Sequence, residues 1–327
     1  MCTKFLQELS YDPPDRDTDT YLKHLNGLWL ESPVTFLHCC HEARMRKICL
    51  LPPPNEKHIC VIQAKLALHD VVALTYYLEH FDQTVVCPES LLIQDCGLTD
   101  EALAVLGKKL WRLKKVQLTG CVFTHKGLAE LTRKMTDHDL KNLEILDLSD
   151  CQLDDEALIR IMPVFGHLQE LYISDNSFTW YGIRKLASVH RRTKHLAKLD
   201  MSRCQLSEHG FFELIPIILK TEHVILQGNP ISPIELKIFS RQIRDAKKLT
   251  LKTLDISSSN LNDSCLHQIS KFVFFIENVD LHNSNFGQEG LQMLVKCCEK
   301  LGVKQLKTLN LRMCKVRYLD QWRNSKE

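Results

Sequence analysis

A short apolar pattern at Leu143–Leu158 recurs along this chain and constrains its fold more than any other feature. It reads Leu143-x-x-Leu146-x-Leu148-x-x-Cys151-x-Leu153 and is followed by Asp154-Asp155-Glu156 and then Ala157-Leu158. The first half alternates apolar and polar residues, which is typical of a strand, and the second half opens on acidic residues and takes helical spacing. One strand–turn–helix unit cannot cover both faces of its own strand. The pattern therefore predicts that each unit stacks on neighbours like itself.

Nine copies of the pattern follow one another. The residues at the position of Cys151 are Cys96, Cys121, Cys151, Asn176, Cys204, Asn229, Ser259, Ser284 and Cys314, at intervals of 25, 30, 25, 28, 25, 30, 25 and 30 residues. A period of this length with this motif is typical of a leucine-rich repeat array. We therefore predict an α/β solenoid shaped as a horseshoe, with parallel strands on the concave face and helices on the convex face. The intervals also predict that helix length alternates from one repeat to the next.

The rest of the sequence divides around this array. Residues 1–20 are polar and interrupted by proline, which predicts disorder. Residues 21–51 have helical apolar spacing, and residues 52–87 form a linker with an irregular entry repeat. The nine repeats occupy residues 88–316, and residues 317–327 are a short charged tail.

Composition excludes several classes of function. The 327 residues are 44% hydrophobic and 25% charged with a net charge of +2, which is ordinary for a protein with a packed core and gives no overall attraction to nucleic acid. We see neither a secretory signal nor an apolar run long enough to span a membrane. Fourteen cysteines in such a chain are best interpreted as reduced thiols. These features predict a cytoplasmic protein.

The sequence offers little chemistry for catalysis. It has no Gly-x-Ser-x-Gly, no His-Glu-x-x-His and no phosphate-binding loop, so we expect no enzyme activity, no catalytic residue and no cofactor. The residue types of the run His38-Cys39-Cys40-His41 resemble a metal-binding motif. Consecutive residues on a helix point in different directions, however, and no Cys-x-x-Cys pair exists. We therefore predict no metal site there, and interpret the run as part of a packed helix.

Three positions of each repeat have a predicted structural role. The polar or cysteine residue after the strand turns inward and bonds to a neighbouring backbone group, since buried polar atoms need partners. The predicted helix caps are Thr99, Thr124, Asp154, Thr179, Ser207, Ser232 and Asn262. Small residues before a leucine, such as Gly127 and Gly290, are predicted to let the helix approach the strand closely.

The repeat form LxxLxLxxCxLTxxGL with long helices resembles the ribonuclease-inhibitor class of leucine-rich repeats over residues 59–316. The lead-in is similar to the NOD-like receptors, on the segments LKHLNGLWL (22–30), FLHCCHEA (36–43) and DVVAL (70–74) followed by Leu78-Glu79-His80. That family joins its NACHT-associated helices to its repeats through segments of this kind. The resemblance implies the sensor or autoinhibitory region of such a receptor, acting in cytosolic innate immune recognition or its regulation. Because this sequence lacks a phosphate loop, nucleotide-driven oligomerisation is not implied.

The expected functional surface is the concave strand face, which binds a protein partner. Its residues between the second and third leucine positions include Asp147, Tyr172, Asp200, Asp255 and Asp280. Four carboxylates in one row suggest an acidic stripe that meets a basic patch on the partner, with Tyr172 as an aromatic anchor. The alternative is that these carboxylates are ordinary repeat residues exposed to solvent. Basic runs near Lys108, His190 and Arg241 are interpreted as solvated helix ends, so we expect no nucleic-acid partner.

Two other functions stay open at this stage. The chain could be the substrate-recognition subunit of a ubiquitin ligase, although residues 1–46 lack the pattern of an F-box. It could also be a GTPase-activating leucine-rich repeat protein, although no exposed Asn or Arg stands out for that role. The sequence does not indicate the oligomeric state or the identity of the partner.

Overall fold

The structure is a computed structural model that describes residues 32, 34–38, 58–62, 65–80, 88–110, 112–133, 142–190, 196–246, 249–301 and 305–314. The chain divides into two compact units, Met1–Cys151 and Gln152–Glu327. Both have the leucine-rich repeat fold, in which parallel strands alternate with helices. The predicted α/β repeat architecture is confirmed.

The unit Met1–Cys151 contains four strands and three helices in its described part. The strands are β1 (His58–Ile62), β2 (Ser90–Gln94), β3 (Lys115–Gln117) and β4 (Ile145–Asp147), and the helices are α1 (Leu68–His80), α2 (Asp100–Leu110) and α3 (His125–Thr132). Each strand pairs in parallel with the next, in chain order from β1 to β4. Residues 34–38 are also helical and come before this array.

The unit Gln152–Glu327 continues the alternation. Its strands are β5 (Glu170–Tyr172), β6 (Leu196–Asp200), β7 (Thr221–Ile225), β8 (Thr253–Asp255), β9 (Asn278–Asp280) and β10 (Thr308–Asn310). Its helices are α4 (Asp155–Phe165), α5 (Trp180–His190), α6 (Glu208–Ile218), α7 (Pro233–Asp245), α8 (Asp263–Ile269) and α9 (Gln288–Leu301). A 3-10 helix at Val273–Phe275 follows α8. The six strands pair in parallel in chain order.

The core lies between the strands and the helices of each unit. The middle residue of most strands is buried and its two neighbours are half-buried, as period-two alternation requires. Aromatic rings join three successive repeats, since Phe239 packs edge-on against Phe211 and Phe272 at centroid distances of 6.0 and 5.0 Å. The core is therefore continuous from repeat to repeat.

A left-handed residue ends the strand segment of every repeat. The residues with positive φ just before the inward-turning position are Asp95, Gly120, Asp150, Asp175, Arg203, Gly228, Ser258, Asn283 and Met313. This conformation favours glycine, and Asp and Asn tolerate it better than most residues. At Gly228 a Cβ atom would lie 3.0 Å from Arg203 Cγ of the preceding repeat, so close approach adds a second reason for glycine there.

The inward-turning side chains bond to backbone groups, as predicted. Cys204 Sγ lies 3.1 Å from the carbonyl oxygen of Ile173 in the previous repeat. Asn229 makes four such bonds: its oxygen accepts from the N–H groups of Cys204 and Leu206, and its amide donates to the carbonyls of Met201 and Leu226. Asparagine thus satisfies groups of two adjacent repeats at once, whereas a thiol contributes only weak bonds.

The predicted helix caps are confirmed. All seven residues directly precede a helix and bond to its first turn; Asp154, for example, accepts a 2.8 Å bond from the N–H of Ala157, and Ser232 donates its own N–H to Glu235. From α6 to α9 the helices have 11, 13, 7 and 14 residues and alternate as predicted, whereas α2 to α5 have 11, 8, 11 and 11 residues and do not. Pro163 and Pro216 lie two residues before the ends of α4 and α6.

The predicted reason for the helix glycines is wrong. A Cβ atom on Gly127 would lie 2.5 Å from a carboxylate oxygen of Asp100 in the preceding helix, not against a strand. Gly182 and Gly290 face Asp155 and Asp263 in the same way. These carboxylates accept hydrogen bonds at the start of the next helix. Asp155, for example, accepts one from the N–H of Thr179 at 2.8 Å. The glycines therefore make room for a carboxylate that links one helix to the next.

The predicted boundaries at residues 1–20, 21–51, 52–87, 88–316 and 317–327 stay predictions. Residues 1–20 and 317–327 lie outside the described residues, as do most of residues 21–57, including Cys39, Cys40 and His41. The linker does contain β1, where the irregular entry repeat is expected.

Replacing Asn229 by Ala should destabilise the protein strongly. The change leaves four buried backbone groups without their side-chain partner, and each unsatisfied group costs about 1–3 kcal/mol before relaxation. We expect a loss of at least about 3 kcal/mol in the free energy of unfolding, measured by urea denaturation. The control is Asn285→Ala, because the side chain of Asn285 is exposed. Equal stability of the two variants would contradict the role of Asn229.

The buried thiols should resist alkylation in the folded protein. Burial raises the pKa of Cys204 to about 12 and raises that of Cys151 further, so neither forms appreciable thiolate near pH 8. Cys60 is exposed on β1. Iodoacetamide labelling with peptide mass spectrometry should modify Cys60 in the native protein, and Cys151 and Cys204 only after unfolding in urea. Labelling of Cys204 at the rate of Cys60 would contradict their placement.

Candidate functional site

The candidate site is the sheet face of the unit Gln152–Glu327 that the helices leave uncovered, which we call the open face. Strand residues alternate between the two sides of a sheet, so the half-buried positions beside each buried one lie on this face. They form two rows across the strands. The first row is Glu170, Lys198, His223, Thr253, Asn278 and Thr308, and the second row is Tyr172, Asp200, Ile225, Asp255, Asp280 and Asn310.

The carboxylates of the second row have a local structural role. In each case one oxygen accepts a hydrogen bond from the N–H two residues later, so the side chain holds the turn that ends the strand. The distances are 3.0 Å from Ser202 N to Asp200, 2.9 Å from Ser257 N to Asp255 and 2.9 Å from His282 N to Asp280. Within the described part of the chain, the second oxygen of Asp255 accepts no hydrogen bond and is available to a partner.

Asp255 and Asp280 are direct neighbours on adjacent strands. Neighbouring strands lie about 4.8 Å apart, so the two carboxylates concentrate negative charge at one place on the face. Burial raises the pKa of Asp280, but the bonds from His282 and Asn310 outweigh it and leave the pKa below its ordinary value. Asn310 donates to the outer oxygen of Asp280 at 2.9 Å. Asp280 therefore stays ionised beside Asp255.

The other end of the face has a different character. The Tyr172 hydroxyl donates to Glu170 at 2.7 Å, and the Lys198 ammonium lies 4.9 Å from the centre of the Tyr172 ring. A cation over an aromatic face is attracted to it, so the ring is held in place and part of its surface is covered. Tyr172 is thus an ordered side chain that is only half-exposed.

An ion pair balances the charge near Asp200. Arg203 forms a two-pronged salt bridge to Asp175, with both N···O distances at 2.6 Å. The guanidinium holds the pKa of Asp175 below its ordinary value. Arg203 also attracts Asp200, which lies three residues before it. The net negative charge of the open face is therefore greatest at Asp255 and Asp280.

Four of the five predicted site residues, Tyr172, Asp200, Asp255 and Asp280, lie in the second row of the open face. Ile225 lies between Asp200 and Asp255 in the register. Asp147 belongs to the unit Met1–Cys151, where it accepts bonds from Ser149 N at 3.0 Å and from Gln117 Nε2 at 3.2 Å. Binding of a partner by these residues stays a prediction.

Sequence reasoning missed the first row of the open face. Glu170 and Lys198 lie two residues before the predicted site residues Tyr172 and Asp200, and His223 lies two residues before Ile225 of the same row. Period-two alternation alone would have put them on the same side. His282 was missed for a different reason. It follows the strand, and only the folded turn brings its Nδ1 to 2.9 Å from Asp280.

One predicted solvent-exposed basic residue has a specific partner. Lys114 pairs with Glu89 at 3.2 Å and is largely exposed, which agrees with a surface ion pair of small energetic value. Lys194 and His195 lie outside the described residues. Among the helices that the structure describes, none is both long and apolar enough to cross a membrane.

Replacing Asp280 by Ala should lower stability at neutral pH and have less effect in acid. A group whose pKa is lowered by folding stabilises the protein above its unfolded pKa of about 3.9, and this contribution is lost as the pH falls through the folded value. We expect a loss of about 1 kcal/mol at pH 7, since the carboxylate is partly exposed. Urea denaturation at pH 7 and at pH 3.5 measures the free energy of unfolding of the wild type and of the variant. A destabilisation that was larger at pH 3.5 than at pH 7 would contradict the ionised state of Asp280.

Comparison with known proteins supports the repeat fold. Residues 139–162 match the family model described as Leucine Rich repeat. Ribonuclease inhibitor of Sus scrofa is 24% identical over 247 residues, which cover 70% of this chain and 52% of that protein. PRAME family members 7 and 8 of Homo sapiens are each 28% identical over 142 residues, which cover 42% of this chain and 29% of theirs. The chain therefore spans between 29% and 52% of the length of these curated relatives.

Solved structures with some similarity include an internalin of Listeria monocytogenes, with a TM-score of 0.41 and 17% identity over 82% of this chain and 84% of that one. A chain of the octameric complex of latrophilin 3, Unc5D and FLRT2 has a TM-score of 0.40 and 17% identity, over 70% and 63% of the two chains. The repeat match, the similarity to ribonuclease inhibitor and the geometry of the strands together show the leucine-rich repeat fold.

Proposed function

We propose that the protein is a non-enzymatic binding scaffold whose open face holds a basic segment of a protein partner. The observation that carries this proposal is the pair of adjacent carboxylates at Asp255 and Asp280. One carboxylate oxygen of each holds its own turn, and Asp255 keeps the other for a partner. Lysine or arginine side chains are the groups that complement such a pair.

The neighbours of the pair define the partner further. Ile225 is half-buried next to Asp255 and offers an apolar contact, while Tyr172 offers an ordered aromatic edge beyond Asp200. Lys198 and Arg203 at that end disfavour a second basic group there. We therefore expect a partner segment that places Lys or Arg over Asp255 and Asp280, and an apolar side chain over Ile225.

We propose further that the protein acts in the cytosol as the recognition or autoinhibitory region of a NOD-like receptor or of a derivative of one. The lead-in segments at residues 22–30, 36–43 and 70–80 support this through their resemblance to that family. The cysteines support a reducing compartment, since Cys96, Cys121, Cys151, Cys204 and Cys265 are buried free thiols. Protein partners recovered from cytosol distinguish this proposal from the alternatives: NACHT receptors support it, whereas cullin adaptors or a small GTPase would favour a ligase receptor or a GTPase activator.

The open face is tested with the double variant Asp255→Asn/Asp280→Asn. Asparagine still accepts the N–H bond of the turn, so the fold should be retained while two negative charges are lost. Quantitative mass spectrometry of proteins captured from cytosol should show at least a tenfold loss of the specific partner. Raising the salt concentration should weaken capture by the wild type more than by the variant.

The matched control is Asp245→Asn/Glu289→Gln. Both side chains are exposed on helices, at the end of α7 and the start of α9, and the net charge changes by the same amount. Capture by this control should stay within about twofold of wild type, because surface charges away from a contact act only weakly through solvent. If both double variants lose the partner equally, net charge explains the binding and the open face does not.

A further inference from the structure

Three side chains of types that commonly bind metal ions lie close together in the unit Met1–Cys151. They are His38 from the helical residues 34–38, and His69 and Asp70 from the first turn of α1. One ligand atom from each lies within 4.8 Å of the other two. This cluster lies outside the open face.

Packing holds the two helical segments together beside the cluster. Phe36 is completely buried and packs edge-on against Tyr77 of α1, with ring centroids 5.9 Å apart. His38 lies two residues after Phe36, and its imidazole contacts Asp70 of α1. The contact therefore joins residues 32 positions apart in the sequence.

One carboxylate oxygen is shared between the two imidazoles. Asp70 Oδ1 is in contact with Nε2 of His38, and it lies 3.6 Å from Nε2 of His69. The other oxygen accepts the N–H of Ala67 at 2.7 Å, which fixes the carboxylate at the start of the helix. The imidazole rings of His38 and His69 have centroids 5.1 Å apart and are tilted by 42°. Both ring nitrogens thus lie near the same carboxylate oxygen.

The charge of the cluster suits a cation. The Asp70 side chain is only 11% exposed, and its second oxygen is held by the N–H of Ala67. Neutral imidazole and ionised carboxylate are the forms that coordinate metal ions.

We propose that His38, His69 and Asp70 bind a divalent transition-metal ion, with Zn²⁺ as the representative. Two imidazole nitrogens and one carboxylate oxygen are a common zinc ligand set, with metal–ligand distances of about 2.0–2.2 Å. Tetrahedral ligands at that distance lie about 3.3 Å from one another. Reaching that spacing requires small movements of the imidazoles, and the His69 side chain is 74% exposed and free to make them. The bound ion would tie residues 34–38 to α1.

The test is a titration of the untagged full chain with Zn²⁺ against a chromophoric chelator. We expect one site in the wild type that is weakened at least tenfold in His69→Ala, and the same weakening in His38→Ala and Asp70→Asn. His69→Ala is the decisive variant because the exposed imidazole contributes little packing. The matched control is His58→Ala, which removes an exposed imidazole from β1 of the same unit and should leave the site intact. Circular dichroism of each metal-free variant checks folding.

Two further readouts separate this site from zinc bound by thiols. Zn²⁺ should raise the melting temperature of the wild type and of His58→Ala but not of His69→Ala, since only a native site stabilises the fold by mass action. Co²⁺ should give a visible spectrum without a sulfur-to-metal charge-transfer band. The proposal is overturned if wild type and folded His69→Ala bind Zn²⁺ equally, or if the Co²⁺ spectrum shows thiolate ligands.

Discussion

The inward-turning polar side chain at the end of each strand is the constraint on which the rest of the structure depends. In most repeats it reaches backbone groups of an adjacent repeat, as Cys204 and Asn229 do in two different ways, whereas Ser259 and Ser284 bond within their own repeat. The thiol makes one weak contact to Ile173. The asparagine bonds to three backbone groups of the preceding repeat and to one of its own repeat. Because a repeat cannot satisfy these groups alone, folding one repeat is favourable only beside another.

This constraint also explains the left-handed residue that precedes the inward position. A strand continuing in extended conformation would send the next side chain to the open face or into solvent. The positive φ at Asp175 or Arg203 reverses the chain locally and points Asn176 or Cys204 into the core. The conformational cost of a non-glycine residue there is about 1 kcal/mol or more, and the buried hydrogen bonds offset it. The same turn leaves Arg203 beside Asp175, so the ion pair next to the open face is a consequence of the fold.

The sequence predicts most of this architecture because each element depends on neighbours at fixed spacing. Strands and helix caps follow from local patterns. What the sequence does not reveal depends on contacts between repeats. The missing Cβ of Gly127 is needed for Asp100 in the preceding helix, and spacing alone does not show which surface a small residue faces. The cation over Tyr172 was missed because it comes from another strand, 26 residues further along the sequence.

The two candidate sites differ in how far the repeat pattern accounts for their residues. On the open face, each Asp has a structural role at its turn, so an Asp in this row is by itself weak support for binding. Support for binding comes from charge beyond what the turns require, as at the adjacent Asp255 and Asp280. The cluster of His38, His69 and Asp70 is the reverse case. The repeat pattern requires neither of the two imidazoles, and the run His38-Cys39-Cys40-His41 gives no indication of a contact between His38 and α1. Its partners come from α1, because the packing of Phe36 on Tyr77 brings the two segments together. A site formed by packing between two helices therefore cannot be detected from the residue spacing within either helix.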